Sequence, residues 1–331
     1  MNFAQKVEAW TNLNVLKRSH VMDSSDTVER QFGDDIGYLM NSGQTNPTPP
    51  VLDTSESEPS LKFTIPSQSS SGASGQWTMR FAPDNSVQFD EGETFGFMWD
   101  QKFDRVFIEY PYLNGAGWKQ VIIGEADGAT CSSSNTSTCA SSCTDLEIVV
   151  QNTFLREFPQ IYNSCGVFQP FEIGPIYGSD FDRQPHQGNP PPAGSYCFNG
   201  AQSACIKYSD GFANPGDQVT RWSTWGLQVS LGAKSGGYFQ NSNVKLWMSW
   251  KGDPENLIFD YTTNLVASGS GTQKYGRAWL LPYHSGKDFN EVHAVSYTWY
   301  RNVAVISGAF DPAFLTTDES VGGRRAGLFM F

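Results

Sequence analysis

The sequence predicts an all-β fold, a two-sheet antiparallel β-sandwich of the jelly-roll kind, preceded by an irregular N-terminal lead-in. Three observations predict it. Short apolar–polar alternations recur from residue 60 onward, clusters of Gly, Pro, Asn, Asp and Ser separate them, and helix-period stretches are scarce after that point. The chain has 331 residues, enough for one large domain or two ordinary ones. No period of roughly 20–50 residues repeats, which argues against a propeller or a solenoid.

Residues 1–59 are polar and irregular, and they read as an extension packing on the sandwich. Helices are expected near Ala4–Leu16 and Thr27–Leu39, and Asn41–Pro59 reads as a linker or extended arm. The jelly-roll domain is expected over 60–331. SLKFTIP alternates Leu61, Phe63 and Ile65 against polar neighbours, the pattern of a half-buried strand. After the loop SQSSSGASG, QWTMRFA alternates Trp77, Met79 and Phe81, and TFGFMWDQKF alternates Phe95, Phe97 and Trp99. GWKQVIIGE, LEIVVQNTF, FPQIYNS, TWGLQVSLG, VKLWMSW, NLIFDYTT, RAWLLPYHS and SYTWYRNVAVIS follow, for about ten short strands in all. LEIVVQNTF and FPQIYNS, joined by Leu155–Glu157, form an expected hairpin.

Charge narrows the partners. The formal net charge is -12 and the pI about 4.7. Duplex nucleic acid calls for a basic stripe that releases counterions, and none is present. No stretch approaches the ~20 apolar residues of a membrane span. The opening MNFAQKVEAW has no apolar core region, so no signal peptide is expected at this N-terminus.

Cys131, Cys139, Cys143, Cys165, Cys197 and Cys205 cluster in one window. An even number in loop-like sequence suggests three disulfides and an oxidising compartment, extracellular or periplasmic. Folding the hairpin back brings Cys143 and Cys165 together at its open end. Cys131–Cys139 then closes a Ser/Thr-rich loop, and Cys197–Cys205 a second one. Zinc would need a second short pair to match Cys139 and Cys143, and none follows. Asn135-Thr136-Ser137 is a glycosylation sequon.

There is no G-x-S-x-G, no H-E-x-x-H, no P-loop and no dinucleotide fingerprint, and the four histidines supply hydrolase triads poorly. A glycoside hydrolase needs two carboxyls flanking the sugar bond, for which Asp145, Glu147 and Glu125 are the suspects. A polysaccharide lyase needs a different mixture. One group neutralises the uronate carboxylate and acidifies the neighbouring C–H, Tyr or His takes that proton, and another group protonates the leaving oxygen. Gln160 and Tyr162 alternate on one strand and so share a face. With Arg156 in the turn and His284 after a Pro-Tyr bend, they form the expected catalytic set. Lys119, Gln151, Asn152, Tyr283, Lys287 and Tyr300 are the expected substrate contacts. Several tryptophans, among them Trp99, Trp118, Trp279 and Trp299, are core or sugar platforms.

SLKFTIPS, SGQW, GWKQVIIGE, CTDLEIVVQN, FPQIYNSCG, YGRAWLLPYHSGKD and SYTWY resemble secreted bacterial proteins with a concanavalin-A-like jelly roll. They also resemble the jelly-roll polysaccharide lyases, the class of the alginate, glucuronan and heparin lyases. The likeness spans about residues 60 to 310. Alginate lyases of this class carry a Q-I-H strand motif; Gln160-Ile161-Tyr162 is similar to it, with Tyr in place of His. Their R-x-E-x-R strand has no counterpart here. The resemblance implies Gln160 as carboxylate neutraliser and Tyr162 as base or acid. The expected function is β-elimination on an anionic, uronate-containing glycan. The alternatives are a non-catalytic carbohydrate-binding jelly roll and a glycoside hydrolase. A polysaccharide partner and a monomer are expected, with neither nucleic acid nor membrane. No cofactor is required, and a structural Ca²⁺ would find its ligands at Ser179–Arg183.

Overall fold

The computed structural model describes residues 14–18, 37–40, 50–81, 86–110, 117–125, 146–152, 159–164, 169–170, 195–197, 205–207, 221–250, 256–267, 273–285 and 287–309. The strands are, in order, β1 Asn14–Arg18, β2 Gly37–Met40, β3 Val51–Asp53, β4 Ser60–Ile65, β5 Gln76–Arg80, β6 Thr94–Phe103, β7 Gly117–Glu125, β8 Glu147–Asn152, β9 Pro159–Ser164 and β10 Gln169–Pro170. They continue with β11 Ser195–Cys197, β12 Cys205–Lys207, β13 Ser223–Ser230, β14 Lys234–Ser235, β15 Tyr238–Trp250, β16 Asn256–Val266, β17 Tyr275–Leu280, β18 His284–Ser285 and β19 Ser296–Ser307. Among the described residues the one helix is α1, Arg105–Glu109.

The protein is an antiparallel β-sandwich. The first sheet runs β14-β15-β13-β6-β19-β4-β3, with β1 on β19 and β16 on β15. The second runs β10-β9-β8-β7-β17-β5-β2, with β18 on β7. The chain changes sheet at β1 to β2, β2 to β3, β4 to β5, β5 to β6, β6 to β7, β16 to β17 and β18 to β19, and between β10 and β13 by way of β11 and β12. These repeated crossings, rather than simple meanders, make the jelly roll. A separate hairpin pairs β11 with β12 and sets Cys197 opposite Cys205.

Period-2 alternation explains the core. Leu61, Phe63, Phe95, Phe97 and Trp99 from the first sheet meet Trp77, Met79, Val121, Ile123, Ile148 and Val150 from the second. Aromatic pairs bridge the layers: Phe95 lies 5.8 Å from Tyr275, and Phe103 meets Trp118 edge-on at 5.7 Å. The expected hairpin forms, with β8 against β9 and Glu147 opposite Ser164.

Where the expected N-terminal helices overlap described residues, at 14–16 and 37–39, the chain is strand, because a sheet edge was free to take it. The rest of those helices lies outside the described residues. So do Cys131, Cys139, Cys143 and Cys165, and the Ser179–Arg183 loop. α1 was not expected. Asp104 caps it, its Oδ1 accepting from Phe107 N at 2.6 Å and its Oδ2 from Tyr297 N at 2.9 Å. No described helix is long and apolar enough to cross a membrane.

Candidate functional site

The candidate site lies on the outer face of the second sheet, turned away from the sandwich core, where Lys119 is half-buried and Gln151, Glu147, Val149, Trp279 and Arg277 are buried. Ile148 and Val150 point inward, so Glu147, Val149 and Gln151 point outward. Register extends that face to the neighbouring strands. Lys119 on β7 stands opposite Gln151 on β8, which stands opposite Gln160 on β9. These three positions form one polar row across about 10 Å of sheet. The next row is apolar: Trp279, Ile122 and Val149, ending at the position of Tyr162. The third row runs Arg277, Gly124, Glu147 and the position of Ser164.

Three contacts shape this face. Lys119 Nζ lies 5.2 Å from the centre of the Tyr283 ring, and Lys119 N donates to Tyr283 O at 2.9 Å. Tyr283 also packs on the apolar cluster of Ile122, Val149, Trp279 and Leu281. The Arg277 guanidinium sits 5.3 Å from the Trp279 ring centre. Gly124 keeps the space for Trp279, since a Cβ there would fall 2.6 Å from its Cη2.

The structure therefore gathers Lys119, Gln151, Tyr283 and the positions of Gln160 and Tyr162 on one face. It places other expected residues elsewhere. Tyr300 is a correction: it is fully buried between the sheets and donates to Gln120 O at 2.9 Å, so it cannot meet a glycan. Burial pushes its phenol well above the ordinary tyrosine value. His284 is a second correction. It is fully buried, 5.0 Å from the Phe107 ring and 6.2 Å from Trp118, on the core side of β7. Lys287 is a third: its Nζ is buried on Ser69 O and Oγ, at 2.8 and 3.3 Å, and staples two loops. Asn152 is the register partner of Trp118 and alternates away from Gln151. Arg156 and Asp145 lie outside the described residues.

The tryptophans are mostly core. Trp99, Trp118 and Trp225 are sealed inside, and Trp99 stacks on Trp225 at 6.0 Å. Trp299 belongs to the outer face of the first sheet. There Asp53 Oδ2 accepts from its Nε1 at 2.7 Å, and Lys102 lies 4.4 Å from its ring centre.

Of the expected glycosidase carboxylates, Asp145 lies outside the described residues. Among the described strands of the outer face, Glu147 is the one acid, and Glu125 stands opposite the core residue Tyr275. Among the described residues no three His, Cys, Asp or Glu side chains group to hold a metal.

No family model and no curated protein sequence matches the chain. By structure, the marine PL-14 alginate lyase from Aplysia kurodai matches with a TM-score of 0.50 at 13% identity, over 88% of this chain and 99% of that one. The sandwich shares the jelly-roll fold of that enzyme. An endo-beta-1,4-glucuronan lyase from the fungus Trichoderma reesei matches at 12% identity and a TM-score of 0.39, over 84% and 96% of the two chains. An alginate lyase from Chlorella virus matches at 10% and 0.41, over 78% and 88%. At 13% identity the likeness to the Aplysia kurodai enzyme is one of fold.

Proposed function

We propose that the protein is a polysaccharide lyase that cleaves an anionic, uronate-containing glycan by β-elimination on the outer face of the second sheet. The observation that carries the reading is the cross-strand row Lys119–Gln151–Gln160, flanked by Tyr283 and by the position of Tyr162. Lys119 and the two amides supply the charge and hydrogen bonds that neutralise a sugar carboxylate. That neutralisation acidifies the C–H beside it. Tyr162, as its phenolate, takes the proton, a C=C bond forms, the C–O bond to the next sugar breaks, and the phenol so formed gives its proton to the leaving oxygen. An extracellular or periplasmic site of action and a Cys197–Cys205 bridge belong to the same proposal.

The test is a panel of polyuronates, followed by the ultraviolet absorbance of the unsaturated product. Lys119→Ala should lower kcat/KM about a hundredfold. Tyr162→Phe should abolish elimination while leaving retention on a polyuronate column. Reducing ends without absorbance would replace the lyase by a hydrolase, and retention with neither product would leave a binding module.

A further inference from the structure

The polar row exists because β7 is not a regular strand. Trp118 pairs with Asn152, Lys119 with Gln151, and then Val121 with Val150, so Gln120 is one residue too many. This is a β-bulge. Val121 and Ile123 point into the core, so unbroken alternation would send Lys119 inward and Trp118 out. The bulge reverses that. Trp118 is sealed in the core against Phe103 and Phe107, and Lys119 comes out beside Tyr283 and Gln151.

The bulged residue is held from across the sandwich. Gln101 and Tyr300 are register partners on β6 and β19 of the opposite sheet, and both reach Gln120. Gln120 Nε2 donates to Gln101 Oε1 at 3.0 Å, and Tyr300 OH donates to Gln120 O at 2.9 Å. Gln101 is fixed in turn. Its Nε2 donates to Thr298 Oγ1 at 3.1 Å, and its Oε1 also accepts from Trp99 Nε1 at 3.2 Å. All three holding residues are fully buried. Gln120 Oε1 meets no donor among the described residues, a cost that an apolar residue at this place would avoid. A fully apolar contact would fill the core as well, so volume does not explain the polar choice.

We infer that Gln101, Gln120 and Tyr300 are positioning residues that lock the β7 bulge and thereby aim Lys119 into the polar row of the site. The inference rests on the proposed reading of that row as the carboxylate site. The three residues touch no substrate; they act through Lys119.

A double-mutant cycle tests it. Tyr300→Phe keeps the ring and removes the one hydroxyl that bonds the bulge carbonyl, and should lower kcat/KM about tenfold when Lys119 is present. In the Lys119→Ala background the same change should cost less than about twofold. Equal losses in both backgrounds would overturn the inference, because a general weakening of the fold multiplies with any other defect. If Tyr300→Phe does not fold, Gln101→Met runs the same cycle.

A second readout is independent of activity. Lysines are ¹³C-methylated, and the Lys119 resonance is assigned by its loss in Lys119→Arg. The ring current of Tyr283 should displace that resonance in the wild type, and Tyr300→Phe or Gln101→Met should return it toward the solvent-exposed value. An unmoved resonance in both variants overturns the positioning role. A wild-type chain that eliminates no polyuronate overturns the proposed reaction instead, and the resonance still judges the bulge.

Discussion

Asp104 shows how much one side chain can tie together. It caps α1 and accepts from Tyr297 N, so it fastens the helix to β19. Burial raises its pKa from 3.8 to about 6, even though Phe107 N, Tyr297 N and Lys62 favour the charged form. A raised carboxyl pKa means that the folded state binds the proton more tightly than the unfolded chain. Its stabilising contribution is thus full below pH 3.8 and is lost as the pH climbs through about 6. Asp104→Asn keeps a capping acceptor and removes the titration. Urea melts at intervals between pH 4 and 7 should show the variant gaining on the wild type as pH rises; a constant gap would refute the shift. Single residues were also where the sequence was hardest to read. Tyr300 on the last long strand and His284 after a Pro-Tyr bend look like polar, reactive groups, yet both are core, because alternation gives a face only once the register is known. Lys119 was singled out for its charge, but nothing local in GWKQVIIGE says that Gln120 bulges. The bulge is set by Gln101 and Tyr300, far away in the chain.

At the scale of elements the alternation was legible. β4, β5, β6, β8 and β13 fall where Leu, Phe, Trp, Met, Ile and Val recur at every second position. The pairing of β1, β2 and β3 was not, since short polar strands carry little periodicity and gain their order from the edges they join. The segment after β3 is one such gain. Residues 54–58 cross the outer face of the first sheet. Glu56 accepts from Trp222 Nε1 at 2.7 Å and pairs with Lys102, while Glu58 pairs with Arg301 at 3.0 Å. The Arg301 guanidinium in turn lies 3.9 Å from the Trp222 ring centre. Although burial works against it, these donors hold Glu56 below its ordinary value of 4.5, and Trp299 and Ser55 do the same for Asp53, below 3.8. Depressed carboxyl pKa values stabilise above the ordinary range and are lost as pH falls through the folded-state values. In acid, the segment should therefore let go before the sandwich melts. Fluorescence of Trp222 and Trp299 should change at higher pH than the far-ultraviolet dichroism, and Glu56→Gln should raise that pH. Coincident transitions would contradict a separate latch.

For the whole molecule, charge is the governing quantity. A net charge of -12 repels a polyuronate at long range, while Lys119 attracts it at the face where the chemistry is proposed. The long-range part is screened at about 0.1 M salt, where the Debye length is about 10 Å. KM for a polyuronate should accordingly fall as ionic strength rises from about 0.01 to about 0.1 M, the opposite of a basic protein. A KM that climbs from the lowest salt upward would mean that local attraction dominates throughout. The carboxylates over the first sheet add a directional element to this balance. Lys62, Lys102 and Arg301, stacked on Tyr297, Trp299 and Trp222, are the chemistry an acidic sugar chain would seek, and Asp53, Glu56 and Glu58 already occupy it. The chain supplies its own decoy there. A polyanion that reached the described outer face of the first sheet would meet carboxylates already seated on its cations.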